Sequence, residues 1–232
     1  MEKKKRRRLK PEVKGILIFL IVIILLSVSY AIYAHVTEFD YTKYLNKIVV
    51  TINETQINLK EMSYYIIKVE ETGDEYARQY NPESPTQYWG IYMNEVTDSG
   101  YVSDLARDSA MSYCIRDNIY AMEAIQAGVE LTNDELSDVK ADAASTYANM
   151  TSQQREVTLL ELVDLELIMT KEALAHKYML FLANQESTST LEAVTLLYDV
   201  GGDYYETLKS KYSIEINERV WKKIRPGFIT IN

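Results

Sequence analysis

Hydrophobic and polar positions follow several distinct patterns along the chain, and each change of pattern marks an element. The first pattern has no polar breaks: Ile16 to Ala34 (ILIFLIVIILLSVSYAIYA) is nineteen residues without a charged side chain. At about 1.5 Å per residue such a run nearly crosses a ~30 Å hydrocarbon core, so a membrane helix is expected over 15–35. A cleaved signal peptide is the competing reading, with Ser29-Tyr30-Ala31 as a small-x-small site, although the apolar run exceeds the ~7–15 residues of a signal core. The pattern then changes at Lys47 to Ile57 (KIVVTINETQI), where β-branched residues flank Asn53-Glu54-Thr55. Two short strands around a polar turn are expected there.

From Leu59 onward the spacing is helical. Met62, Tyr65, Ile66 and Val69 share one face of a helix ending near Gly73 or a turn or two later. Residues 81–100 carry Pro82, Pro85, Gly90 and Gly100 among Tyr88, Trp89 and Tyr92, the composition of an ordered loop anchored by its aromatic rings. A second helix is expected from about Val102 to Ala127, with Gly128 as its stop and Met111, Ile115, Ile119, Met122 and Ile125 as a core stripe. Thr132-Asn133-Asp134-Glu135 reads as a capping box opening a third helix toward Tyr147. A long fourth helix is expected from about Ser152 or Thr158 to Gln185. It is apolar on two sides, Leu160, Val163, Leu167, Leu174, Tyr178 and Phe181 on one and Leu162, Leu165, Met169 and Leu180 nearly opposite. Such a helix is central to its domain or lends one face to a partner. Thr190 to Lys211 reads as a fifth helix bent at Gly201-Gly202. Tyr212 to Ile216 reads as a strand, Asn217 as the cap of the turn ERVWKKI, and Gly227 to Ile231 as extended. A C-terminal strand pairing with 47–57 brings the chain ends together.

Charge divides the chain sharply. Residues 1–14 hold eight basic and two acidic side chains, whereas the remainder carries 17 basic and 32 acidic ones. A basic block before an apolar span stays in the cytoplasm by the positive-inside rule, placing residues 36–232 outside it. Tyr30 and Tyr33 suit an interfacial belt. The acidic remainder disfavours nucleic acid as a partner.

Candidate chemistry is sparse. His35 and His176 are the two histidines and Cys114 the single cysteine, which excludes an intrachain disulfide and gives no metal-ligand spacing. His176 reads as a helix-surface residue and Cys114 as a small buried hydrophobe beside the core stripe. Gly201-Gly202-Asp203 lacks the glycines and lysine of a phosphate loop and reads as a turn. The carboxylate pairs Glu70/Glu71, Glu161/Asp164 and Asp134/Glu135 read as helix solvation or caps. No catalytic residue, cofactor or metal is expected.

The order of elements nevertheless resembles the N-terminal domain of the SurA/PrsA-type extracytoplasmic foldases and the related trigger-factor peptide-binding domain. Val50, Ile52, Asn53, Ile57, Glu61 and Met62 match the family's opening stretch, with Glu54 where the family commonly has Gly. Ala124, Gly128, Val129, Leu131, Thr132, Glu135 and Leu136 match the stretch that closes its following helix. KSKYSIEINERVWKKI also looks like the tail that returns to this domain. The resemblance implies a mainly α fold: a transmembrane helix, then a multi-helix SurA N-terminal-like domain with small β elements near 47–58 and 212–216. It implies a membrane-anchored chaperone holding unfolded exported polypeptides. The parvulin domain of the family is missing, since residues 186–211 occupy its place, so no prolyl isomerase activity is expected. Tyr88, Trp89, Tyr92, Leu162, Leu165, Met169 and Leu180 are the expected client contacts. A bitopic scaffold docking one folded partner of an envelope assembly is the alternative.

Overall fold

The computed structural model describes residues 20, 22–24, 26, 27, 39–94, 99–184, 190–227 and 229. It divides into two units, Met1–Asp40 and Tyr41–Asn232. In the first, helical backbone is described at Leu20, Val22 to Ile24, Leu26 and Ser27, with Ser27 Oγ donating to the Ile23 carbonyl at 2.9 Å. The expected transmembrane helix is corrected here: among the described residues no helix is long and apolar enough to cross a membrane. The remaining positions of 15–35, Tyr30 and Tyr33 among them, lie outside the described residues.

The second unit is mainly helical. Its strands β1 (Ile48–Ile52), β2 (Thr55–Asn58) and β5 (Ile214–Ile216) form an antiparallel sheet in the order β2-β1-β5. Val50 faces Ile57 on one side and Ile216 on the other. The hairpin turns on Asn53, whose φ is +52°, and its side chain accepts from the Ser213 amide at 2.8 Å. The left-handed residue is thus Asn53, a residue type that tolerates this conformation, so the turn asks no positive φ of Glu54.

Helix α1 (Leu59–Tyr80) opens on an Asn58 cap and runs past Gly73. Helix α2 (Val102–Gln126) ends as expected, with Gly128 at φ +70° and the Val129 amide donating back to the Ala124 carbonyl at 2.9 Å. Helix α3 (Asn133–Asn149) carries the capping box: the Glu135 amide donates to Thr132 Oγ1 and the Thr132 amide to Glu135 Oε2. Thr132→Ala is expected to lower stability by about 1 kcal/mol, read as a shift in the urea midpoint, with Thr132→Ser near neutral.

The single long fourth helix is corrected to two, α4 (Ser152–Thr158) and α5 (Leu162–Ala183). Leu159 between them has φ +50°. Thr158 Oγ1 donates to the Gln154 carbonyl and accepts from the Leu160 amide, and the Glu161 amide donates to Asp164 Oδ2, so α5 starts afresh. Helices α6 (Thr190–Tyr198) and α7 (Asp203–Lys209) are separated at Gly201-Gly202, and α8 (Glu218–Trp221) follows β5.

Helix α2 packs against both α1 and α5, and α3 covers another side of α5. Met62, Tyr65, Ile66, Ile119, Leu165 and Met179 fill the space between them without exposure. Parallel to this apolar core runs a charged seam between α1 and α5: Lys60 to Asp164 at 2.7 Å, Lys171 to Glu61 at 2.6 Å, and Lys68 to Glu172. The core stripe of α2 holds from Met111 to Ile119, but Ile125 at its end is 69% exposed.

Candidate functional site

The aromatic loop is built from a 3-10 helix, Pro85–Gly90, and the hairpin β3 (Tyr92–Asn94) and β4 (Ser99–Tyr101). The Trp89 ring anchors it, packed with Ala77, Val102 and Ala106. Two glycines make that position possible. A Cβ at Gly73 would stand 2.6 Å from Trp89 Cη2, and one at Gly227 2.5 Å from Trp89 Cδ1. The indole is therefore clamped between α1 and the returning tail. The tail is fastened by Glu70, fully buried on α1, whose Oε1 accepts from the Gly227 amide at 2.6 Å and the Ile229 amide at 3.4 Å.

This arrangement leaves a cleft of about 1110 Å³ between α1, α2, the aromatic loop and the stretch Tyr198 to Val200. Its two ends differ in chemistry. One is apolar and aromatic, with Val69, Tyr76, Tyr88, Met93, Val102 and Leu105; the other is charged, with Lys68, Arg116, Asp117, Glu172 and Asp199. At the charged end Arg116 donates to Asp117 from Nε at 2.9 Å, and its Nη2 lies 2.8 Å from the same carboxylate oxygen. The guanidinium lies over the Tyr198 ring, 4.2 Å from its centre, and 5.1 Å from the centre of Tyr113. Glu172 accepts from Lys68 and, at 2.6 Å, from Tyr64 Oη.

Burial raises the Asp117 carboxyl to about 6, against Arg116, which lowers it, while Glu172 raises it further. The Tyr64 and Tyr65 hydroxyls are likewise pushed up, by burial first and then by Glu172 for Tyr64 and by Cys114 and Asp117 for Tyr65. Tyr65 borders the cleft, and its buried hydroxyl meets no hydrogen-bond partner among the described residues. Thr72 and Ser109, also in the lining, donate to the helix carbonyls of Lys68 and Leu105. Lys68 is spent on Glu172 and Arg116 on Asp117, Asp199 accepts from the Gly201 amide, and these hydroxyls are spent on the backbone. What the lining offers is adaptable apolar contact beside a fixed polar floor.

Of the expected client contacts, Tyr88 and Trp89 line this cleft together. Trp89 is a correction: at 5% exposed it builds the wall and presents almost no surface. Tyr92 is exposed on the hairpin, in edge contact with Tyr101 at 5.4 Å between ring centres. Leu162, Leu165, Met169 and Leu180 lie on α5, away from the cleft lining. Leu165 is a further correction, 1% exposed in the core facing α1 and α2, because α5 turns that side inward. The apolar surface that α5 leaves open is instead Val163, Leu167 and Phe181, with Leu162 at the helix start. Near it a smaller groove of about 240 Å³ is lined by Ile125, Val129, Leu131, Leu136, Thr170 and Leu174.

Sequence reading missed the charged end altogether. Arg116 and Asp117 fall inside the buried run from Cys114 to Ala121, and a charged pair inside an apolar stretch of helix is the signal that marks them. Cys114 is buried and His176 exposed, as read from the sequence. Among the described residues no group of three or more His, Cys, Asp or Glu side chains is placed to hold a metal ion. Compared with known protein families, with curated proteins and with solved structures, the chain matches none.

Proposed function

We propose that the chain is a holdase-like chaperone whose cleft receives extended apolar segments of unfolded polypeptides, without prolyl isomerase activity. The cleft carries this reading: one end is a wall of Tyr, Met and aliphatic side chains large enough for several client residues. Tyrosine gives large contact area with few rotatable bonds and methionine adapts its shape, which suits clients of varied sequence. Between α5 and β5 the chain holds the two short helices α6 and α7, which supports the absence of an inserted isomerase domain. The motif resemblance to the SurA/PrsA-type domains supports the same reading from the sequence side.

The test is light scattering from two unrelated, chemically unfolded clients with and without the full chain at stoichiometric amounts. Suppression for both clients is expected, and none at several-fold excess of folded protein overturns the reading. Tyr76, exposed on the cleft rim, is the point of attack. Tyr76→Ala is expected to weaken suppression about threefold while leaving the urea midpoint within ~0.5 kcal/mol of the parent, since it removes surface and not core.

A second reading rests on the groove at Ile125 and Leu174 with the open Val163 and Leu167 beside it. A scaffold docking one folded partner there binds saturably, and Leu167→Asp then abolishes docking without touching client suppression.

A further inference from the structure

The Arg116–Asp117 pair does more than fill the cleft floor, because it reaches across to the opposite wall. Arg116 Nη1 donates to the Tyr198 carbonyl at 3.3 Å, and the Tyr198 ring stacks on the same guanidinium. Tyr198, Asp199 and Val200 form that wall. On one side of them Leu197 is pinned, its carbonyl accepting from Tyr120 Oη at 2.9 Å; on the other stand Gly201 and Gly202. A short segment tied through its first residue to one guanidinium, beside the pinned Leu197, and folded at its far end into a turn in which the Gly201 and Gly202 amides donate to Asp199, can leave as a unit when that tie is released and has the construction of a gate. Resting on the cleft as the client site, we propose that Arg116 and Asp117 form a proton-operated latch. Proton uptake by Asp117 frees Arg116, which releases the Tyr198–Val200 wall and widens the cleft for a client.

The groups that face Asp117 fix the direction of the effect. Arg116 comes from α2, Lys68, Tyr64 and Tyr65 from α1, Glu172 from α5, Tyr198 from the end of α6 and Tyr205 from α7. Lys68 is held by Glu172, and Tyr64 donates to the same carboxylate, so neither replaces Arg116 as a partner. With Arg116 in place, the carboxyl titrates at about 6, burial raising it and Arg116 lowering it. In the released arrangement Asp117 stays enclosed on its other side by Tyr64, Tyr65 and Glu172, on helices that do not move; the lowering influence of Arg116 goes, so the proton is bound more tightly. Linkage then requires that falling pH favours release. A carboxyl held at about 6 gains its proton between pH 7.5 and pH 5.5, so the latch loosens over that interval.

The probe is a rhodamine-labelled peptide of Phe, Leu, Ser and Thr, free of groups that titrate between pH 5 and 8, read by anisotropy with the full chain. Binding is expected to be about five- to tenfold tighter at pH 5.5 than at pH 7.5. Asp117→Asn, neutral at every pH, is expected to bind tightly at both. Hydrogen exchange on the parent chain, corrected for intrinsic rates, is expected to show residues 196–202 at least about tenfold less protected at the lower pH; this needs no variant and decides the matter if Asp117→Asn fails to fold. Equal peptide affinity and equal protection at both pH values overturn the latch and leave the chaperone reading standing. Loss of protection at pH 5.5 without peptide binding at either pH keeps the latch and overturns the chaperone reading.

Discussion

Gly227→Ala is expected to destabilise the folded chain by about 3 kcal/mol, measured as a displaced urea midpoint with unchanged slope. Two costs combine. Gly227 has φ +95°, a backbone region that an L side chain enters at about 1–3 kcal/mol. The new Cβ would also stand 2.5 Å from Trp89 Cδ1 and 2.6 Å from Cγ, so the indole must move. It has nowhere to go, because Gly73 on the far side allows no retreat: a Cβ there already meets Trp89 Cη2 at 2.6 Å. Trp89→Leu separates the two costs. With the ring shortened, the steric share vanishes and the backbone share of about 1 kcal/mol remains, a coupling of about 2 kcal/mol in the double-mutant cycle. Additive effects would show that the indole is not clamped. Gly73→Ala, with no backbone share, is expected to lose nearly all its cost in the Trp89→Leu background.

Glu70→Ala is expected to cost about as much, roughly 3 kcal/mol, by a different route. The buried carboxylate accepts from the Gly227 and Ile229 amides. Removing it leaves two buried donors unmet, each worth about 1–3 kcal/mol, and a cavity in α1. Glu70→Gln keeps an acceptor oxygen and is expected to recover at least half of the loss. Limited proteolysis with trypsin gives the second readout: in Glu70→Ala cleavage after Lys223 is expected to precede global unfolding, whereas in the parent the two coincide. Tail release and unfolding that stay simultaneous in the variant would mean that Glu70 does not fasten the tail.

These two positions also mark where sequence reading stops. The end of α2 at Gly128 and the start of α3 at Thr132 were legible because a left-handed glycine and a capping box act within four residues. The strand pairing of 50–52 with 214–216 was legible as a pattern of β-branched residues at both ends. Glu70 was not: beside Glu71 on a helix it reads as solvated, and what buries it is a tail more than 150 residues away. Leu159 in left-handed conformation contradicts its own propensity and is set by Thr158 and Asp164 around it. Ile125 continues the α2 stripe by spacing alone, yet the stripe outruns the neighbours that cover it. In the cleft lining, Tyr88 and Trp89 drew notice through the aromatic composition of their loop, but the burial of Trp89 did not show in the sequence. The charged end needed α1, α2 and α5 in place before Arg116, Asp117 and Glu172 could be seen to meet.

The sheet order has a consequence for how the chain is made. Its central strand, Ile48 to Ile52, leaves the ribosome long before its partner Ile214 to Ile216. At about 5–20 residues per second, more than 160 intervening residues keep that edge unpaired for roughly ten to thirty seconds. During this interval the bare Val49–Ile52 edge is open to pairing with other chains, and closure then waits on a contact of long sequence separation, which folds slowly. The chain thus passes through a long unfinished state, and its yield in the cell is set by how that single edge is shielded until Ile214 to Ile216 arrive.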